Sequence, residues 1–195
     1  MAKFFGNLNA VLAAGVVLML LVLFGVQGVY DNNFMWRWAH VICGIMWIGH
    51  LYYFNFTQMP TMPKIPAELK PGVSKHIAPA ALFWFRWAAM ATFVLGIILA
   101  PRNNYLLEAY TLDFSDGAAG WPVVPKYLAI GIGMWLGTIM WFNVWFVIWP
   151  NQKKALGIVE ADDATKAASA KTAMIFSRTN TLLSIPMLYA MVNFS

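Results

Sequence analysis

The sequence predicts an all-α fold: a polytopic helical membrane bundle with about five transmembrane helices. Three observations point there. Of 195 residues, 61% are hydrophobic and only 11% are charged, where an ordinary soluble domain has about 25% charged. The apolar residues gather into five stretches of about 20, the length a helix needs to cross the hydrocarbon of a bilayer. All eight acidic residues fall outside those stretches, as expected where an ionised carboxylate in hydrocarbon is costly.

The five spans are expected near 8–30, 34–57, 80–100, 127–149 and 173–194, forming a single integral membrane domain over 1–195. The first is longer than the apolar core of a secretory signal, about 7 to 15 residues, and no small-x-small cleavage site ends it, so it reads as an anchor. The linker "QMPTMPKIPAELKPGVSK" after the second span is rich in proline and lysine and is expected to run extended. The loop 101–126 collects Glu108, Asp113 and Asp116 beside Gly and Pro punctuation. Ahead of the last span, "EADDATKAASAK" has strong helix formers and an Asp162 to Lys166 spacing of i, i+4, which predicts a short solvated helix near 158–171.

Orientation follows from the basic residues near the span ends. Lys3, Lys64, Lys70, Lys75, Arg86, Lys153, Lys154, Lys166, Lys171 and Arg178 fall on one side, and only Arg37, Arg102 and Lys126 on the other. The bias predicts the N-terminus inside and the C-terminus outside. Trp84, Trp87 and Trp149 then belong to the inner interface, with Trp36, Trp38 and Trp121 at the outer one.

Several chemistries are excluded. The net charge of +5 is dispersed between apolar runs, so no basic patch for nucleic acid exists. The single Cys43 rules out an intramolecular disulfide, a thiolate zinc site and a C-x-x-C-H haem attachment. Spans without carboxylates offer no carboxylate proton relay and no paired-carboxylate catalysis.

What remains is two histidines in the apolar stretch "RWAHVICGIMWIGHLYYFNF", His40 and His50. An imidazole in hydrocarbon needs a partner. Ten residues of helix set these two roughly 15 Å apart and about 80° apart around the axis, so they do not grip one metal ion together. Each is a candidate axial ligand for a haem iron, completed by Met90, Met134 or a residue of another subunit. The alternative is an imidazole bonded to a neighbour's carbonyl or hydroxyl. Gly44 and Gly49 leave shallow places on the same helix. Gly133 and Gly137 have the small-xxx-small spacing of close helix packing. Trp141, Trp145 and Trp149 recur every four residues as one ridge, expected to face lipid or another subunit, or else to stack on a quinone or purine ring. Asn143, on a different face, requires a hydrogen-bonding partner in the bundle.

Three segments, "RWAHVICGIMWIG", "LGTIMWFNVWFVIWPNQKK" and "NTLLSIPMLYAM", together with "FWFRW", resemble the membrane domain of the bacterial membrane-anchored urate oxidase family. The resemblance implies a bacterial inner (cytoplasmic) membrane protein of multi-pass topology. In that family the bundle commonly precedes a cytochrome c domain and is thought to pass electrons from purine oxidation towards the respiratory chain. Departures are evident: Phe83 and Gly131 stand where the family pattern has histidines, Ala88 where it has a glutamate, and Thr179-Asn180 where it has His-Asn. His40 matches the family position, whereas His50 is an addition. A set depleted in this way is not expected to retain the whole reaction, because losing members of a catalytic set costs orders of magnitude in rate. The expectation is therefore a b-type haem (haem b) serving electron transfer within a larger assembly or homo-oligomer, with a cytochrome or quinone as partner. The alternative is a cofactor-free accessory subunit, and urate oxidation comes third.

Overall fold

A computed structural model describes residues 2–27, 32–112 and 127–193, and every regular element among them is helical. The chain divides into two compact units, Met1–Met35 and Trp36–Ser195. In the first, a single turn Ala2–Phe5 leads to α1 (Leu8–Val22), which continues as a widened turn Leu23–Gln27. Asn7 caps α1, its side-chain oxygen accepting from the backbone N–H of Asn9 and Ala10. None of its side chains is buried, and a helix that is apolar all round suits a lipid environment. The expected end of the first span, at Tyr30, lies outside the described residues.

The second unit holds most of α2 (Asn32–Tyr52, helical in type through residue 64), α3 (Lys70–Arg102), the short α4 (Leu106–Thr111), α5 (Leu128–Ala155) and α6 (Asp163–Asn193). Among the described residues, three helical segments are long and apolar enough to cross a membrane: Leu8–Gly25, Lys70–Arg102 and Leu128–Ala155. α2 and α6 fall short of that measure because Arg37, His40 and His50 interrupt the one, and Arg178, Asn180 and several serines and threonines the other.

Helical structure continues past the span bounds expected at 57, 80 and 149. Widened π-type turns occupy Tyr53–Gln58, Val73–Ile77 and Asn143–Ile148, and each lies two residues before a proline, Pro60, Pro79 or Pro150. At each junction the backbone N–H bonds five residues back: Met59 to Phe54, Ala78 to Val73 and Trp149 to Val144. The wider turn accommodates a ring that cannot donate and that would otherwise crowd the carbonyl four residues earlier. The linker expected to be extended is therefore mostly helical turns, Met59–Thr61, Met62–Lys64 and Lys70–Gly72, each with proline in its first turn, where no intrahelical donor is needed.

The solvated helix and the last span, expected to be separate, form one helix of 31 residues, Asp163–Asn193. Nothing between them breaks the helix, since 167–174 is mostly alanine with serine, threonine and lysine. Asp162 does not pair with Lys166. It caps the helix by accepting from the backbone N–H and the hydroxyl of Thr165, at 2.8 and 2.7 Å, and Lys166 turns to Asp163 at 3.4 Å.

The core of the second unit joins Trp47, Leu51 and Phe54 of α2, Leu82, Phe85 and Ala89 of α3, Met140, Val144 and Ile148 of α5, and Ala173 and Met187 of α6. Phe54 and Phe85 meet edge to face, ring centroids 5.7 Å apart. A second cluster packs α4 on α5 through Tyr105, Ala109, Ile130 and Met134. Gly131 makes this possible, because a side chain there would run into the Ala109 carbonyl oxygen.

Candidate functional site

His40 and His50 go to different partners. The Nδ1 of His40 lies 2.9 Å from the carbonyl oxygen of Thr92 on α3, and its ring edge rests against Gly96, where an added Cβ would sit 3.1 Å from Cε1. Glycine at 96 thus lets the imidazole seat on the neighbouring helix. The Nδ1 of His50 lies 2.7 Å from the carbonyl of Met46 in its own helix. A carbonyl only accepts, so in both neutral rings Nδ1 carries the proton and Nε2 presents its lone pair. This is the arrangement in which histidines bind metals, the second nitrogen being held by a backbone oxygen.

His50 opens onto a hollow of about 360 Å³ with Ile45, Met46, Gly49, Tyr53, Ile77 and Ala81 around it. Of the two shallow places expected on α2, Gly49 faces open space and forms part of this hollow, while a side chain at Gly44 would meet the Thr92 methyl group. Met134 is buried beside Ala100, Tyr105, Ala109 and Ile130, in a different cluster from the one that takes in the His50 end of α2. Met90 is half-buried on α3. Among the described residues no three His, Cys, Asp or Glu side chains gather as a metal site.

The tryptophan ridge of α5 turns inward. Trp141 stacks on Phe93 with centroids 4.2 Å apart and planes 9° from parallel. Trp145 meets Trp87 edge to face at 5.3 Å, and the Arg86 guanidinium lies 3.5 Å from the centre of the Trp149 ring. The face expected to meet lipid or another subunit is thus the contact between α3 and α5. The physical reason is available partners: α3 carries its own ring-bearing residues at matching heights. The buried indole N–H groups of Trp47, Trp141 and Trp145 make no hydrogen bond among the described residues. Gly133 also packs within the chain, against Ala190 and Met191 of α6, whereas Gly137 faces open space.

Sequence reasoning found Asn143 but missed the polar seam it belongs to. Asn143 donates to Asn180 Oδ1 at 2.9 Å, and Asn180 donates to the Met140 carbonyl at 2.9 Å. Asn55 donates to Ser177 Oγ at 2.8 Å. Ser184 gives its proton to the Thr181 carbonyl, so the Tyr52 hydroxyl, 3.0 Å away, donates to Ser184. The available signal was the repeat of Ser177, Asn180 and Ser184 along one face of α6, at the spacing of helical neighbours. Where the resemblance implies a histidine, Gly131 is pressed against the Ala109 carbonyl, which leaves no room for an imidazole in this packing. Ala88, in the place of a glutamate, is buried, and Phe83 is exposed.

Among the described residues the protein is all-helical, with apolar helices that fit a membrane protein and an interior joined by ring stacking and amide hydrogen bonds. Residues 124–194 match the family described as urate oxidase N-terminal, so the part of the chain that forms α5 and α6 is urate oxidase N-terminal-like. The match does not extend to α2 and α3, which carry the histidines. No curated protein and no solved structure matches the chain.

Proposed function

We propose that the chain is a five-span subunit of the bacterial inner membrane, N-terminus inside and C-terminus outside, that holds a b-type haem and carries electrons within a larger assembly. The observation that carries this reading is the pair of imidazoles whose Nδ1 atoms face peptide carbonyls, leaving both Nε2 lone pairs for a ligand. His50, beside its hollow, fits an axial role best. His40 fits a second site less well, because its ring is seated on Gly96. A haem held there would supply one-electron redox chemistry, and the Met46 carbonyl would fix the orientation of the His50 ring. A quinone or a cytochrome is the natural partner.

The reading of α2 and α6 as spans rests on where their polar groups point. Tyr52 meets Ser184 and Asn55 meets Ser177, so residues that lower the apolarity of each helix are satisfied by the other and need not face lipid. The test of the haem reading is a pyridine haemochrome spectrum of the purified protein. We expect a stoichiometric haem band that His50→Ala abolishes; a colourless wild-type protein removes the proposal.

A second reading, a cofactor-free accessory subunit that forms homo-oligomers, is favoured by the open face at Gly137. It expects His40→Ala and His50→Ala to alter stability only, and a multimeric mass in mild detergent. Purine oxidation is a third, tested by urate turnover with an electron acceptor present.

A further inference from the structure

Arg86 is a cation set inside an apolar helix. α3 has 33 residues and is about 50 Å long, against about 30 Å of hydrocarbon. With Arg102 at one interface, the opposite boundary falls about 20 residues earlier, near residue 82. Arg86 then sits about one turn inside that boundary. On α5, the same count from Leu128 reaches the boundary at Trp149, with Lys153 one turn beyond.

The two cations meet at one ring. The Arg86 Cζ lies 3.5 Å and the Lys153 Nζ 5.7 Å from the centroid of Trp149. Neither has a carboxylate partner among the described residues, where the ion pair is Lys166 with Asp163. No acidic residue occurs anywhere in Lys70–Arg102 or Leu128–Ala155. A guanidinium lying on an indole uses its flat face and leaves its in-plane N–H groups for acceptors. Two positive charges beside one indole, at the edge of a low-dielectric slab, favour an anion between them.

We propose that Arg86, Trp149 and Lys153 bind the phosphate of an anionic glycerophospholipid at this end of the α3–α5 pair. Arg86 supplies the fork that matches two phosphate oxygens, and Lys153 a second point charge. Lipid is the source the surroundings favour. Trp84 and Trp87 on α3, and Phe142 and Phe146 on α5, are all about half exposed, and the two phenylalanines stack at 4.9 Å. Phe142 and Phe146 lie on the hydrocarbon side of Trp149 along α5, where acyl chains would lie, and Trp84 and Trp87 flank Arg86 near the boundary. The site is independent of any haem.

The test is thermal unfolding of the delipidated full chain in dodecyl maltoside, titrated with phosphatidylglycerol, phosphatidylcholine or inorganic phosphate. We expect phosphatidylglycerol to raise the midpoint saturably, by about 5 °C at 100-fold excess over its dissociation constant, and phosphatidylcholine to do much less. Arg86→Gln and Lys153→Gln should each raise the half-saturating lipid concentration about fivefold. Equal stabilisation by inorganic phosphate alone would assign the site to a free anion and overturn the lipid. Equal effects of the two lipids, or half-saturation unmoved by the substitutions, would overturn the site altogether. Should Arg86→Gln fail to fold, Lys153→Gln, outside the apolar span, decides the matter.

Discussion

Two seams hold the second unit together by different means. Between α3 and α5, Phe93, Trp87 and Arg86 meet Trp141, Trp145 and Trp149. Along α6, hydrogen bonds do the joining: Asn180 to Asn143 and Met140, Ser177 to Asn55, and Ser184 to Tyr52. In lipid, burial of apolar surface gives little drive between helices, so close contact and interhelical hydrogen bonds must supply it. Ring contacts fail gradually when trimmed, because dispersion is spread over many atoms. Amide contacts fail abruptly, because an orphaned buried donor or acceptor keeps its full desolvation cost.

The largest expected effect therefore falls on the polar seam. Asn180 is fully buried, and Asn180→Leu strands the Asn143 amide, a loss of about 2 kcal/mol. The double variant Asn143→Leu/Asn180→Leu should lose less than the sum of its parts, since neither amide is then left alone. Reversible unfolding in mixed micelles reads this cycle. Strict additivity would mean that the two amides are not partners.

Next come the glycines of α5, which sharpen the contrast between contacts inside the chain and open faces. Gly131→Ala drives a methyl group into the Ala109 carbonyl and the Leu112 side chain, and overpacking of this kind costs about 2 kcal/mol. Gly137→Ala meets nothing within 4 Å and should leave stability level or raise it by up to about 1 kcal/mol through helix propensity. A marked loss at Gly137, with a smaller particle in size-exclusion chromatography, would show that another chain packs there.

The ring seam gives a smaller effect. Phe93 and Trp141 are offset by only 9° and 4.2 Å, and a double-mutant cycle with alanine should return a coupling of about 1 kcal/mol. A coupling near zero would mean that the ridge contributes area alone, and the distinction between the seams would shrink to polar against apolar.

The sequence reading succeeded where a residue's requirement is local and failed where a partner decides. The all-helical class was legible because apolar runs of span length admit few other structures. Asn143 was legible as a residue in need of an amide partner. The tryptophan ridge was visible as a repeat, but its direction was not, because Phe93, Trp87 and Arg86 lie on a helix far away in the chain and no periodicity in α5 names them. The proline-rich linker was read as extended, since the widened turns that absorb prolines such as Pro60 leave no separate mark in the residues. The histidines were found by their oddity in an apolar run. Their separate partners depended on glycine at 96 and on a carbonyl within α2.

The smallest expected effect lies where α6, the helix of the polar seam, begins. Asp162 is exposed, and its hydrogen bonds from the Thr165 hydroxyl and backbone N–H hold its carboxyl below the ordinary value. A depressed pKa in the folded state means that the cap contributes fully above the unfolded value of about 4 and loses its contribution as pH falls through the folded one. Amide-exchange protection of the first turn of α6 should thus decline on acidification below about pH 4, while the middle of the helix at Asn180 holds. Asp162→Asn keeps an acceptor oxygen for the cap without a titrating group, so its first turn should show no such decline. If wild type and Asp162→Asn fray alike in acid, the cap is not what anchors this end, and the seam alone keeps α6 in place.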